Sequence, residues 1–274
     1  MGEGFSFLPI PSRSEKPRKK GITMVIDTGL GIMETRDRLE VCAEFIDLWK
    51  LGWATSQLQP QSVIKTKISD LTKNNVSVCN GGTLLELAEY RGISTELFSK
   101  LKEIGADSAE ISSGSLDIDT SRICELISEA KRFGLTPFCE VGKKLPENDH
   151  EIPEYNRRIK MFIDAGAEKV IVESRESGVG VGIMDSRGEI DEPGLDKMLE
   201  GIDVDDVIFE APRKHQQVFF IKKFGPEVNL GNISPNDVIS LETLRRGLRG
   251  DTIDDLYFVV GERHLRKRGW RGYS

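Results

Sequence analysis

Pro137-Phe138-Cys139-Glu140, a helical pattern over 154–165 closed by Gly166, then Val170-Ile171-Val172-Glu173: residues 137–173 spell strand, crossover helix and second strand. Both strands are short apolar runs ended by a carboxylate. The same unit recurs outward in both directions at a pitch of about thirty residues, the length of a strand–helix–strand repeat. Upstream, Ile22–Ile26 ends on Asp27 and the run at Ile46–Leu48 reaches Lys50. Val76–Val78 leads into Cys79-Asn80-Gly81-Gly82, and Ala109 is followed by Glu110. Downstream, Val207–Phe209 ends on Glu210 and Val228 on Asn229. Strands alternating with helices pair in parallel through the helices. Eight such units make an α/β chain of the (β/α)8 TIM barrel class. Closure brings the strand-ending polar residues to one mouth, the arrangement of an enzyme.

The helical segments fit this frame. Helices are expected at 36–45, 60–71, 83–90 with 95–104, 119–133, 154–165, 214–224 and 235–248. Segment 177–191 holds Gly178, Gly180, Gly182 and Gly188 without apolar periodicity. It reads as a long loop after strand six, on the catalytic face of a barrel. Residues 1–20, with Pro9, Pro11 and Pro17 and the basic run Lys16, Arg18, Lys19 and Lys20, form an irregular N-terminal arm. The barrel spans 21–250, and 251–274 is a C-terminal extension ending in a basic cluster.

With 274 residues, 38% hydrophobic and 30% charged, the chain suits one barrel with extensions. A net charge of -7 gives no footing for general nucleic-acid binding, though a local basic pocket can still take an anion. Cys42, Cys79, Cys124 and Cys139 form no CxxC pair and read as reduced, packed thiols. No run is long and apolar enough for a membrane span, and no signal peptide is evident, so a cytoplasmic location is expected.

Asp27, Glu110, Glu140, Glu173 and Glu210 each end an apolar run. Carboxylates inside a barrel mouth must be paired, hydrogen-bonded or metal-bound. Several oxygen ligands with only three dispersed histidines favour Mg²⁺ over zinc or iron. Cations share this geography: Lys50 after strand two, Lys143 and Lys144 after strand five, Arg175 after strand six, Arg213 and Lys214 after strand seven. An ammonium beside buried carboxylates is a candidate proton donor, and Arg175 next to a glycine-rich loop is a candidate anion clamp. Gly81-Gly82-Thr83 can turn backbone N–H groups toward an anion, and Asn229-Leu230-Gly231-Asn232 offers short polar groups after strand eight. These parts describe a pocket for a small phosphorylated acid. Aldol cleavage, isomerisation and addition to an enol phosphate would all use them.

One set of segments is more specific. Asp27-Thr28-Gly29-Leu30, Lys50-Leu51-Gly52-Trp53-Ala54-Thr55-Ser56, Gly81-Gly82-Thr83-Leu84 and Glu110-Ile111-Ser112-Ser113-Gly114-Ser115 are followed by Glu140-Val141-Gly142-Lys143-Lys144. Glu173-Ser174-Arg175-Glu176-Ser177-Gly178, Phe209-Glu210-Ala211-Pro212 and the stretch from Val238 to Thr252 complete the order. In this order the chain resembles the phosphosulfolactate synthase family from about residue 5 to 255. The family pattern differs at two points, having glycine where this chain has Ala54 and alanine where it has Gly231. The resemblance implies a Mg²⁺-dependent lyase that adds sulfite to phosphoenolpyruvate to give (2R)-phospho-3-sulfolactate, a route to sulfolactate and coenzyme M. It implies Lys143 as the acid that protonates C2, with Glu140 and Lys50 beside it. Asp27, Glu110, Glu140, Glu173 and Glu210 are then metal ligands or their orienters, and Lys50, Arg175, Arg213, Lys214, Asn229 and Arg249 hold substrate anions. Small anionic substrates, no nucleic acid, no membrane and a homo-oligomer are the expected partners. The alternatives are a barrel adding another nucleophile to phosphoenolpyruvate or an analogue, and a non-catalytic stress-related or binding barrel.

Overall fold

The computed structural model describes residues 5, 7–142, 152–174, 177, 178, 180 and 183–257. Eight parallel strands lie in the order β3-β2-β1-β8-β7-β6-β5-β4. They are β1 (Thr23–Asp27), β2 (Leu48–Leu51), β3 (Ser77–Asn80), β4 (Ser108–Ile111), β5 (Thr136–Val141), β6 (Lys169–Val172), β7 (Val207–Glu210) and β8 (Leu230–Ile233). The interleaved helices are α1 (Ile32–Cys42), α2 (Gln61–Lys73), α3 (Gly82–Tyr90), α4 (Ser94–Glu103) and α5 (Thr120–Arg132). They continue with α6 (Ile152–Ala165), α7 (Glu192–Met198), α8 (Lys214–Phe224) and α9 (Val238–Arg245). The (β/α)8 barrel expected from the strand pitch is therefore present. Helix α8 has the expected limits. Helix α9 is shorter than expected, and segment 177–191 leads into the short α7, where Asp191 caps the backbone N–H of Gly194.

Alternation along each strand sorts the side chains into two layers. Ile22, Met24, Leu48, Cys79, Phe138, Ile171 and Ile208 fill the barrel interior. Val25, Trp49, Val78, Cys139, Val170, Val172 and Phe209 pack outward against the helices. On the outer side Phe209 stacks on Phe220 of α8 with ring centroids 4.5 Å apart. One step above the interior layer, toward the carboxyl ends of the strands, the same parity places Lys50, Glu110, Glu140 and Glu210.

The barrel closes unevenly. Among the described residues no backbone ladder joins β3 to β4. Side chains bridge them instead: Asn80 donates to the Glu110 carbonyl at 3.0 Å and accepts from the Glu110 N–H at 3.2 Å. Lower down, Asp107 accepts from the N–H of Val78 at 2.8 Å. The N-terminal arm crosses the opposite, amino-end face. Arg13 pairs there with Glu227 and Glu242, and Arg18 with Asp47. Beside these, the buried Arg245 donates to the carbonyls of Ile22 and Val228, tying β1 to the entrance of β8. No described helix is long and apolar enough to cross a membrane.

Candidate active site

A cavity of about 260 Å³ opens at the carboxyl end of the barrel, with Lys50, Glu110, Glu140, Glu173 and Glu210 in its wall. All five are buried. The Lys50 ammonium donates to Glu210 Oε1 at 2.8 Å and lies 3.2 Å from Glu110 Oε2. The second contact is an ion pair without a well-aligned hydrogen bond, since Glu110 Oε2 has no hydrogen-bond partner. Burial alone would lower the pKa of Lys50, but Glu110, Glu210 and Glu140 together hold it well above the ordinary lysine value. It is a fixed positive charge at neutral pH rather than a ready acid.

The carboxylates are held individually. Glu110 Oε1 accepts from the N–H of Gly82 at 2.8 Å, and Glu210 Oε2 from the N–H of Ser174 at 2.9 Å. Among the described residues Glu140 Oε1 has no hydrogen-bond partner. Burial first, then the neighbouring Glu173 and Glu110, push the Glu140 carboxyl well above the usual carboxylate range. Glu140, Glu173 and Glu210 each offer an oxygen within 4.8 Å of the others. Among the described residues, four carboxyl groups thus face one ammonium in a buried mouth, and two carboxylate oxygens, Glu110 Oε2 and Glu140 Oε1, have no hydrogen-bond donor. An all-oxygen donor set with an orphaned oxygen and excess negative charge fits a hard divalent cation. Glu110, held by Gly82 and Lys50, lies outside that group of three.

The remaining wall comes from α3 and the loops around it. Helix α3 starts at the mouth because Gly81 and Gly82 allow two close approaches. A Cβ on Gly81 would fall 2.3 Å from the backbone nitrogen of Trp53, and one on Gly82 would lie 2.3 Å from Ser112 Oγ. Trp53, itself in a left-handed backbone conformation (φ 51), overhangs the cavity. Deeper in α3, the buried Glu86 accepts from the N–H groups of Gly114, Ser115 and Leu116 at 3.0, 2.8 and 2.6 Å and from the Ser112 hydroxyl. This carboxylate shapes the loop after β4 and sets Ser115 against the cavity. Nothing in the sequence marks Glu86, which lies inside a helical stripe rather than at a strand end.

Two expected site residues lie elsewhere. Asp27 was expected among the metal ligands. Ile22 and Met24 point into the barrel, so parity turns Asp27 outward to the helix layer. There it accepts from Trp49 Nε1 at 3.1 Å and pairs with the buried Lys67 of α2. It also accepts from the N–H groups of Gly29 and Leu30, shaping the loop after β1. Asn229 was expected to bind substrate from the end of strand eight. The strand begins after it, so Asn229 sits at the amino end, accepting from the Ile22 N–H and donating to the Val207 carbonyl.

Three expected cations lie outside the cavity wall, already engaged. Arg213 donates to the carbonyls of Ser177 and Arg187, binding the long loop after β6 to the start of α8. Lys214 pairs with Asp251, and Arg249 donates to Ser240 Oγ. Lys143 and Arg175 lie outside the described residues. Asn232, the last residue of the stretch Asn229-Leu230-Gly231-Asn232, lines the cavity.

Residues 11–251 match the family described as (2R)-phospho-3-sulfolactate synthase (ComA). A phosphosulfolactate synthase of Methanothermobacter thermautotrophicus is 43% identical over 251 residues, covering 91% of this chain and 97% of its own. A phosphosulfolactate synthase of Methanocaldococcus jannaschii is 45% identical over 237 residues, covering 85% and 94%. Among solved structures, the YdjI aldolase from Escherichia coli K12 superposes with a TM-score of 0.54 at 13% identity, covering 91% of this chain and 86% of that one, a likeness of fold alone. With one family model spanning the barrel and relatives of this identity matched over nearly their full length, the chain belongs to the (2R)-phospho-3-sulfolactate synthase family.

Proposed function

We propose that the protein catalyses magnesium-dependent addition of sulfite to phosphoenolpyruvate, forming (2R)-phospho-3-sulfolactate. The observation that carries this reading is the buried Glu140, Glu173 and Glu210 cluster with Lys50 across it, in a chain of this family. The sulfur lone pair of sulfite forms a bond to C3. The C2–C3 π pair moves toward C2 and the substrate carboxylate, and a proton delivered to one face of C2 completes the product. Mg²⁺ held by Glu140, Glu173 and Glu210 would supply Lewis-acid stabilisation of the charge on that carboxylate.

The chain's own residues do the rest. Lys50 keeps its positive charge beside Glu110 and Glu210, offsetting part of the wall's negative charge for an anionic substrate. Glu110 fixes the ammonium in place by holding the N–H of Gly82 with its other oxygen. Lys143, three residues beyond Glu140 in the sequence, is assigned the C2 proton transfer, and Arg175 an anionic end of the substrate. A cytoplasmic, homo-oligomeric enzyme completes the reading.

Incubation with phosphoenolpyruvate, sulfite and Mg²⁺ tests it by mass spectrometry. The expected outcome is loss of phosphoenolpyruvate and appearance of phosphosulfolactate. No adduct under conditions in which a known synthase forms it would reject the proposal. Loss of phosphoenolpyruvate with a different nucleophile, and not with sulfite, would support the alternative addition.

A further inference from the structure

Strand β8 departs from regular alternation at the cavity. Gly231 pairs with Glu210 and faces the interior: a Cβ there would meet Met24 Cε at 2.5 Å and Ile208 Cγ2 at 3.1 Å. The next residue, Asn232, should therefore point outward. Its neighbours Leu230 and Ile233 do pack in the barrel–helix layer. Against β1, however, the register runs from Thr23↔Leu230 to Val25↔Ile233, so β8 carries one extra residue. Asn232 has a left-handed backbone with φ 52. This is a β-bulge: Gly231 faces the barrel interior, and Asn232, next to it in the chain, lines the cavity.

What the bulge delivers has no occupation among the described residues. Asn232 is 4% exposed, its Oδ1 has no hydrogen-bond partner, and among the described residues its side chain makes no hydrogen bond. A buried carboxamide normally satisfies both ends. A left-handed non-glycine residue and an interrupted ladder each carry a conformational cost. Asparagine enters left-handed backbone more readily than most residues and, unlike aspartate, adds no charge to a wall already rich in carboxylates.

We propose that Asn232 contacts the substrate directly, donating a hydrogen bond through its carboxamide to an anionic oxygen of the bound phosphorylated acid. The direction follows from the ligand chemistry. Phosphoryl, carboxylate and sulfonate oxygens accept hydrogen bonds, so a neutral residue serving them must donate. Nδ2 makes no hydrogen bond among the described residues and, unlike Oδ1, is not fully buried, so it is the end of the carboxamide with access to the cavity. The inference rests on the proposed function only for the identity of that acid.

Asn232→Gly isolates the carboxamide, because glycine is at ease at φ 52 and the bulge keeps its backbone. Asn232→Asp keeps the shape, removes the donor and adds a negative charge. Binding is read by calorimetry with phosphoenolpyruvate and, separately, with inorganic phosphate, both in Mg²⁺; turnover is read with sulfite. The glycine variant should melt at or above the native temperature, and its phosphoenolpyruvate affinity should fall about 10- to 100-fold, the worth of one hydrogen bond to a charged group. KM should rise by the same factor with kcat little changed, and the aspartate variant should bind more weakly still. A glycine variant with native affinity and native KM would overturn the proposal. So would an aspartate variant that binds the divalent cation more tightly while keeping native substrate affinity, since Asn232 would then face the metal. Native protein that binds phosphate but neither binds nor consumes phosphoenolpyruvate counts against the proposed function, and the phosphate affinities of the variants then decide the role of Asn232.

Discussion

Replacing Lys50 by methionine keeps most of the side chain's length and removes the only ammonium among the described cavity-lining residues. At an effective dielectric of about 20, its contacts at 2.8 Å with Glu210 and 3.2 Å with Glu110 correspond to about 6 and about 5 kcal/mol of gross attraction. The desolvation of the lysine, which methionine no longer suffers, cancels much of this. Breaking a buried pair from one side leaves a net cost of about 3–5 kcal/mol, because the partner carboxylates stay buried without their cation. For a chain of this size that lowers the melting temperature by about 10 °C.

The loss must depend on pH in a definite direction. Lys50, with its pKa raised in the folded protein, contributes fully below its unfolded value near 10.5 and is charged throughout the range tested. In its absence Glu110, already raised by burial, rises further. A carboxyl raised in the folded state favours folding at low pH and loses that contribution as pH climbs above its unfolded value. The deficit of Lys50→Met should therefore be small near pH 5 and full near pH 8, measured by calorimetric melting without metal. Adding Glu210→Gln should restore part of it. Equal deficits at both pH values, or no deficit at pH 8, would refute the electrostatic account of the mouth.

Further outcomes follow from other parts of the site. Lys143→Met should retain the fold and phosphoenolpyruvate binding while turnover falls about 10²–10⁴-fold, the range of a positioned general acid; near-native turnover at saturating substrate would remove Lys143 from that role. Because Glu140 is raised by burial and by Glu173, a bound cation must displace protons, so Mg²⁺ affinity should increase with pH and calorimetry in buffers of different ionisation enthalpy should detect proton release. Asp27→Asn should cost about 3 kcal/mol or more of stability by leaving Lys67 buried without its counter-charge, yet leave the intrinsic Mg²⁺ affinity of the folded protein within about twofold. Cation affinity that disappears in folded Asp27→Asn would return Asp27 to the metal ligands.

How far the site could be read from the sequence turned on parity. In Val170-Ile171-Val172-Glu173 and Val207-Ile208-Phe209-Glu210 the carboxylate stands two residues after one that faces the interior, and it enters the mouth. In Met24-Val25-Ile26-Asp27 the run has the same appearance but is offset by one residue, and Asp27 emerges on the helix side. Strands buried on both faces are apolar throughout, so no alternation in their composition shows which residues face inward. Strand identity and order were legible for the complementary reason: glycine stops and the change from strand to helical period survive without any knowledge of facing. Asn229 was misplaced by one strand boundary, a shift that exchanges the two ends of the barrel. The bulge at Asn232 depends on register with β1, a property of two strands together, and left no mark in either one.

The junction of β3 and β4 has a consequence beyond the site. Where other neighbours share a backbone ladder, this pair is joined through Asn80 and Asp107. If Asn80 is lost, the barrel can split into a sheet with two free margins, each a row of unpaired amides and carbonyls ready to recruit another chain. Glu110 stands on one margin and Gly82 just past the other, so the carboxamide that bridges these margins also holds the two halves of the pocket in register.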